Sequence, residues 1–145
     1  MKKQTMINDY KIATKCLCLK LRATSRKVSR AYDEALRPAG INVNQFTILV
    51  TINLMKSGSI SQLATILEMD RTTLTRNLRP LKNGRLIKQR SGRGRATEVS
   101  LTAKGTSVLD AARPLWQTAH TSLTKQLGSK QANSLGTLLS HITEK

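Results

Sequence analysis

Acidic residues are scarce in this chain. Eight Asp and Glu stand against 25 Lys and Arg over 145 residues, a formal charge of +17 at neutral pH. Such an excess calls for an anionic partner, nucleic acid first and an acidic membrane surface second. Aromatics are scarcer still, with one Trp, two Tyr and one Phe. Single-strand and RNA binders stack bases on aromatic rings, so the shortage favours duplex DNA. No apolar run approaches the roughly 20 residues of a membrane span; with duplex DNA favoured, no membrane partner is expected. The first 15 residues carry lysines but lack the apolar stretch of a secretory signal. Two cysteines, Cys16 and Cys18, do not make a disulfide framework, and the cytoplasm is the default compartment. His120 and His141 stand far from any acidic or cysteine cluster. Phosphate loop, metal-ligand spacing and nucleophile elbow are all missing. The reading is therefore no enzyme: no catalytic residue, no metal and no cofactor.

What is present centres on Asp70 to Gly105, where Arg71 to Lys104 holds ten Lys or Arg and one acid, Glu98. Asp70 is a good N-cap for a helix. Leu74, Leu78 and Leu81 recur at i, i+4, i+7 as its apolar stripe. Thr72, Thr75, Arg76 and Arg79 form a second stripe, flanked by Arg71 and Thr73. One face therefore docks on a core while the other offers hydroxyls and guanidiniums, which suit base edges and phosphates. Pro80 should kink this helix late, and Asn83-Gly84 should stop it. Leu86 to Ser91 and Thr97 to Leu101 then read as two strands, joined by a Gly-Arg-Gly-Arg tip. Arg93 and Arg95 in that tip have no acid to neutralise them, and phosphates or a minor groove would supply the counter-charge. Ser61 to Leu67 supplies a preceding helix, and Glu68-Met69-Asp70 is a turn of the expected length. Helix, turn, recognition helix and β-wing read as a winged helix-turn-helix.

Around this unit the pattern is helical. Met1 to Asp9 reads as a mobile basic arm, and about Tyr10 to Arg37 as one long helix with Leu17, Leu21, Val28 and Ala35 along a stripe and basic residues outside. Pro38-Ala39-Gly40 ends it. Asn42 starts the next helix, with Gln45 as a capping-box partner and Phe46, Leu49, Val50 and Leu54 as its apolar face. Ser57-Gly58-Ser59 terminates that helix, and Ile60 is read as a single strand residue pairing with the wing. Thr102 caps a long helix with Val108, Ala112, Leu115, Ala119, Leu123 and Leu127 in register, bent at Pro114. Ala132, Leu135, Leu138, Leu139 and Ile142 mark a last helix. A small winged helix cannot cover these terminal stripes, and a two-fold dimer would. A monomer with an intramolecular helix cluster is the alternative. The fold class is mainly α with a small β-wing, one domain over residues 1–145. Within it, about residues 42–101 form the winged helix-turn-helix, and about 10–37 and 103–145 the dimerisation helices.

In their order and spacing, Ser61-Gln62-Leu63-Ala64, Asp70 to Arg76, Gly84-Arg85-Leu86-Ile87 and Val99 to Gly105 resemble the MarR family of bacterial transcription regulators. The resemblance covers about Lys15 to Ile142. It implies a homodimer on pseudo-palindromic double-stranded DNA, usually a repressor of nearby genes in the bacterial cytoplasm, at the nucleoid. It places Thr72, Thr73, Thr75 and Arg76 at the major groove and Arg95 in the wing; Ser61, Gln62, Arg71, Arg79 and Arg93 complete the expected DNA-binding set. Arg95 matches the family's wing arginine; the Asp common two places earlier is Arg93 here.

Cys18 to Tyr32 resembles the organic-peroxide-sensing OhrR branch, which aligns Cys18 with its reactive cysteine and Tyr32 with a tyrosine donated by the other subunit. Two further tyrosines of that branch are replaced by Arg22 and Val43. On one helix Cys18 and Tyr32 would lie ~21 Å apart at ~1.5 Å per residue, so only a dimer would join them. Lys15, Lys20 and Arg22 favour a thiolate at Cys18. Cys16 and Cys18 are ~200° apart on a helix, which excludes a bridge between them while the helix is intact. Three outcomes stay open for the effector: an oxidant at Cys18, a small molecule at the junction of the dimer helices and the winged helix, or no direct sensing. The alternative function is a nucleoid-type architectural DNA binder with little sequence preference.

Overall fold

Four polar side chains set where the central helices begin. Asn42 accepts from Gln45 N–H while Gln45 reaches back to the Asn42 N–H, a capping box that opens α3 (Val43–Met55). Ser59 and Gln62 do the same for α4 (Ile60–Ile66). Asp70 accepts from Thr73 N–H at the head of α5 (Arg71–Asn83), and Thr102 from Gly105 N–H at the head of α6 (Ala103–Leu127). Each cap satisfies a donor that the first turn leaves without a partner. The computed structural model describes residues 2–92 and 96–143, with side chains from Asn8 onward. Before α3 lie α1 (Lys2–Lys15), α2 (Leu17–Leu36) and a 3-10 turn, Arg37–Ala39, closed by Gly40 at φ 72°. After α6 comes α7 (Ser129–Thr143).

The strands β1 (Gly58–Ser59), β2 (Ile87–Ser91) and β3 (Thr97–Leu101) form an antiparallel sheet in the order β1-β3-β2. The β2–β3 hairpin runs from the Ile87↔Leu101 pair to Ser91↔Thr97, with Arg90 opposite Glu98. Its tip, with Arg93 and Arg95, lies outside the described residues. The chain divides into two units, one ending at Ala31 and one beginning at Tyr32. The second holds the core, in which Leu36, Ile48, Leu49, Leu63, Leu74, Leu78, Leu81, Val99 and Leu109 are almost wholly buried. The fold is the expected one, mainly helical with a small β-wing.

Several local expectations are corrected. The residues before Tyr10 are helical from Lys2 rather than an arm, and the first long helix is interrupted at Cys16. There the Leu19 N–H, which a continuous helix would give to the Lys15 carbonyl, goes to Cys16 Sγ at 3.4 Å. The exclusion of a Cys16–Cys18 bridge presumed an unbroken helix and does not carry over. Leu54 is 76 % exposed, while Ile48 and Ile52 are buried, so the inner face of α3 is rotated from the one the spacing suggested. Ile60 is the first residue of α4, and Gly58–Ser59 form the strand. Gly84 is right-handed, and Arg85 takes the left-handed conformation at φ 57°. Leu86 N–H reaches the Leu81 carbonyl and Arg85 N–H the Lys82 carbonyl, so the stop is a Schellman motif with arginine where glycine is usual.

Candidate nucleic-acid interface

The recognition helix owes its orientation to its leucines. Leu74, Leu78 and Leu81 are each at most 1 % exposed, and burying them turns Arg71, Thr72, Thr75, Arg76 and Arg79 to solvent. These five side chains line an open cleft of about 630 Å3 between α5 and the first wing strand. Two residues absent from the sequence expectation complete its wall, Lys82 and Gln89. Lys82 continues the Thr75–Arg79 spacing, and Gln89, two residues on from buried Ile87, shares its face of β2 and so faces the helix. The Lys82 signal was present in the sequence, whereas Gln89 depends on the register of β2. Among the described residues the one ion pair is Arg113 with Asp110, so no carboxylate neutralises this cleft. A face of this kind can bond anionic oxygens and base edges together.

The hydroxyls on α5 are not equivalent. Thr73 is half-buried and donates to Asp70 Oδ2 at 2.5 Å, so it serves the cap. Thr75 donates to the Arg71 carbonyl at 2.8 Å and keeps its lone pairs free to accept. Thr72 makes no internal side-chain hydrogen bond among the described residues. The Thr73 hydroxyl and backbone hold the Asp70 carboxyl below its ordinary value of 3.8. On α4, Ser61 is exposed, while Gln62 spends its Oε1 on the Ser59 N–H at 2.9 Å.

The end of α5, the root of the wing and the start of α6 meet at one joint. Thr102 Oγ1 donates to the Arg85 carbonyl at 2.7 Å, Thr102 N–H to the Leu86 carbonyl at 3.0 Å, and Lys104 Nζ to the Gly84 carbonyl at 2.9 Å. Gly105 is needed there, because a Cβ on it would stand 1.9 Å from the Leu86 oxygen.

The residues singled out for sensing sit elsewhere. Cys18 is exposed, and Cys16 is half-buried at the helix break. Tyr32 is 8 % exposed, and its hydroxyl meets His120 Nδ1 at 3.2 Å. Burial raises the Tyr32 phenol above its usual range. His120 stacks on Trp116 with centroids 4.8 Å apart, and Trp116 on Phe46 at 6.0 Å, so three of the four aromatics share one cluster. The structure thus gives Tyr32 a partner on α6 that its spacing from Cys18 did not suggest. Among the described residues no group of His, Cys, Asp and Glu could hold a metal, and no helix is long and apolar enough to cross a membrane.

No family model and no curated relative matches the chain. Solved structures do. The chain is 33% identical to the transcriptional regulator MosR of M. tuberculosis, solved in complex with DNA, over 89% of this chain and 97% of that one, at a TM-score of 0.78. It is 26% identical to the oxidized form of E. coli MarR over 88% and 93% of the two chains, at 0.71. A mutant E. coli MarR complexed with operator DNA shares the fold at 0.82, with 24% identity over 90% and 96%. With these helices, this three-stranded wing and this degree of identity, the chain belongs to the MarR family of transcription regulators.

Proposed function

We propose that this regulator binds double-stranded DNA as a homodimer and reads a pseudo-palindromic operator as a repressor. The observation that carries the reading is the α5 face: Thr72, Thr75, Arg76 and Arg79 stand exposed over a cleft without a carboxylate, on a helix anchored by three buried leucines. Hydroxyls beside guanidiniums favour sequence reading over backbone binding alone, which needs only cations. Its relative MosR was solved with DNA, which supports the same partner here. Ser61 at the head of α4 and Arg71 are assigned to phosphates, and Arg93 and Arg95 to the groove beside the wing.

Dimerisation is supported by the apolar side chains the monomer leaves uncovered. Leu138 and Ile142 are each 62 % exposed, and Leu127, Leu135 and Leu139 about 40 %. At roughly 25 cal/mol per Å2 of buried apolar area, covering five such side chains is a strong drive to associate. The two-fold would set two recognition helices about one DNA turn apart.

Release by oxidation is the second part of the proposal. Cys18 is a free cysteine, exposed in the first turn of α2 where a dissolved oxidant can reach its sulfur. The thiolate takes one oxygen from a peroxide, the sulfur becoming a sulfenic acid and the peroxide an alcohol or water. A small effector at the junction of the dimer helices and winged helix is the competing trigger.

The test is fluorescence anisotropy on the DNA upstream of its own gene against a scrambled duplex, across a salt series. Preference for the upstream duplex that survives moderate salt supports a specific regulator. Equal affinities that fall together with salt support the architectural reading. Peroxide that dissociates the wild type but not Cys18→Ser supports the oxidative trigger, and equal sensitivity of both removes it.

A further inference from the structure

Nearly half of the excess charge lies in the first 31 residues, ahead of the winged helix. Residues 1–31 contain nine of the 25 basic residues and one acid, Asp9. Within the unit that ends at Ala31, Arg22, Arg26 and Arg30 follow one another at i, i+4, i+8 along α2. All three are exposed, and none has a carboxylate partner among the described residues. Two shallow open clefts, of about 450 and 380 Å3, run between these side chains and share Ser25 and Arg26, with Ser29 at the far end. At 100° per residue the three arginines centre about 160° from Leu17, Leu21 and Val28. Whatever covers the apolar stripe therefore leaves the arginines facing out.

This placement has a cost in the free protein. Like charges at i, i+4 destabilise a helix, and α2 stacks two such pairs, Arg22–Arg26 and Arg26–Arg30, without an interleaved acid. Ordinary solvated helix faces alternate signs and gain from the pairing. A row of guanidiniums interleaved with serine hydroxyls matches a row of phosphates, since arginine forks onto phosphate oxygens and hydroxyls donate between them. The ~6 Å rise from one arginine to the next is of the order of the distance between neighbouring phosphates on one DNA strand.

We infer that the Arg22–Arg26–Arg30 stripe of α2 is a second DNA contact, which holds the sugar-phosphate backbone of duplex DNA without reading its sequence. It rests on the DNA-binding reading above, but uses a different surface from the recognition helix. Its role is to add affinity and on-rate while the preference for the operator stays with α5.

The experiment compares three full-length proteins by anisotropy over a salt series: wild type, R22Q/R26Q/R30Q, and a control, R37Q/K125Q/K130Q, that removes the same charge at exposed positions elsewhere. Circular dichroism and sedimentation check that each has wild-type helicity and association. Each lost phosphate contact lowers the slope of log affinity against log salt by about 0.9, so the stripe variant should lose about 2–3 per protomer. Its ratio of operator to scrambled affinity should stay at the wild-type value, and the control should keep most of the slope. Equal slopes for the stripe and control variants overturn the inference. So does binding of the wild type, but not the stripe variant, to phosphatidylglycerol vesicles while their DNA slopes coincide. Arg76→Ala, run alongside, separates the failures: an intact Arg76 effect with a null stripe removes the stripe alone, and a null Arg76 effect removes the α5 reading.

Discussion

Gly105→Ala should unfold the joint between the recognition helix and α6, although the change favours helix. Gly105 is the third residue of α6, and in open solvent alanine there would gain up to about 1 kcal/mol of helix propensity. The structure reverses the sign. The new Cβ would lie 1.9 Å from the Leu86 oxygen and 2.9 Å from its carbon, both backbone atoms without a rotamer to escape into. Relief needs an opening of about 1.5 Å, to reach an ordinary contact near 3.4 Å. That stretches the two bonds Thr102 makes to the same oxygen, at 3.0 and 3.2 Å, each worth about 1 kcal/mol. Added to an overpacking cost of about 1–3 kcal/mol, and less the propensity gain, the net loss is about 2–4 kcal/mol. For a domain of this size that lowers Tm by roughly 8–14 °C. Thermal melts followed by circular dichroism at 222 nm, on purified wild type and variant, measure it. A melt unchanged or raised would mean the close approach is not present in solution. If the variant is folded at room temperature, weaker operator binding is also expected, because the same joint sets the angle of α5.

Arg76→Ala should cost roughly 1–3 kcal/mol on the operator and relax preference at one base position, whereas Arg95→Ala should weaken all sequences alike; anisotropy on single-base operator variants separates the two. Because the Asp70 carboxyl is held below 3.8 by Thr73, its contribution to stability is complete above that pH and is lost as pH falls through the lowered value; acid titration of stability should show this fall in wild type and not in Asp70→Asn. Arg85→Val should destabilise by about 1–2 kcal/mol in denaturant titrations and Arg85→Gly should not, since a β-branched residue is disfavoured at φ 57°. Leu138→Asp should give a monomer in sedimentation velocity and lose operator affinity, while a dimer of unchanged stability would move the interface away from α7.

Much of the winged helix was legible because its signals are local. Asp70, Thr102 and the Asn42–Gln45 box announced helix starts through their own side chains, and β3 was bounded correctly by alternation between Thr97 and Leu101. What was missed depends on partners distant in sequence. Leu54 fits the helical period of α3 as well as Ile52 does, and only the direction of the sheet and α6 decides which is inside. Leu109 lies beside the stripe that spacing suggested for α6, yet it is fully buried in the core. The break at Cys16 was hidden because no Pro or Gly marks it, and a sulfur is an uncommon cap. In the candidate interface the exposed face of α5 followed from its leucines alone, whereas Gln89 entered from a strand whose register had to be known. The commitment of the Thr73 hydroxyl to Asp70 likewise depends on side-chain geometry that spacing does not carry.

The aromatic cluster gives this regulator an optical label of its own. Trp116 is the chain's single tryptophan, and it is sandwiched between Phe46 on α3 and His120 on α6. Its emission therefore reports on the packing of that seam. A change of intensity or wavelength when DNA or an oxidant is added would register a shift of α6 against the winged helix, without dye, tag or substitution. The scarcity of aromatics that argued against base stacking is what makes that signal uncontaminated.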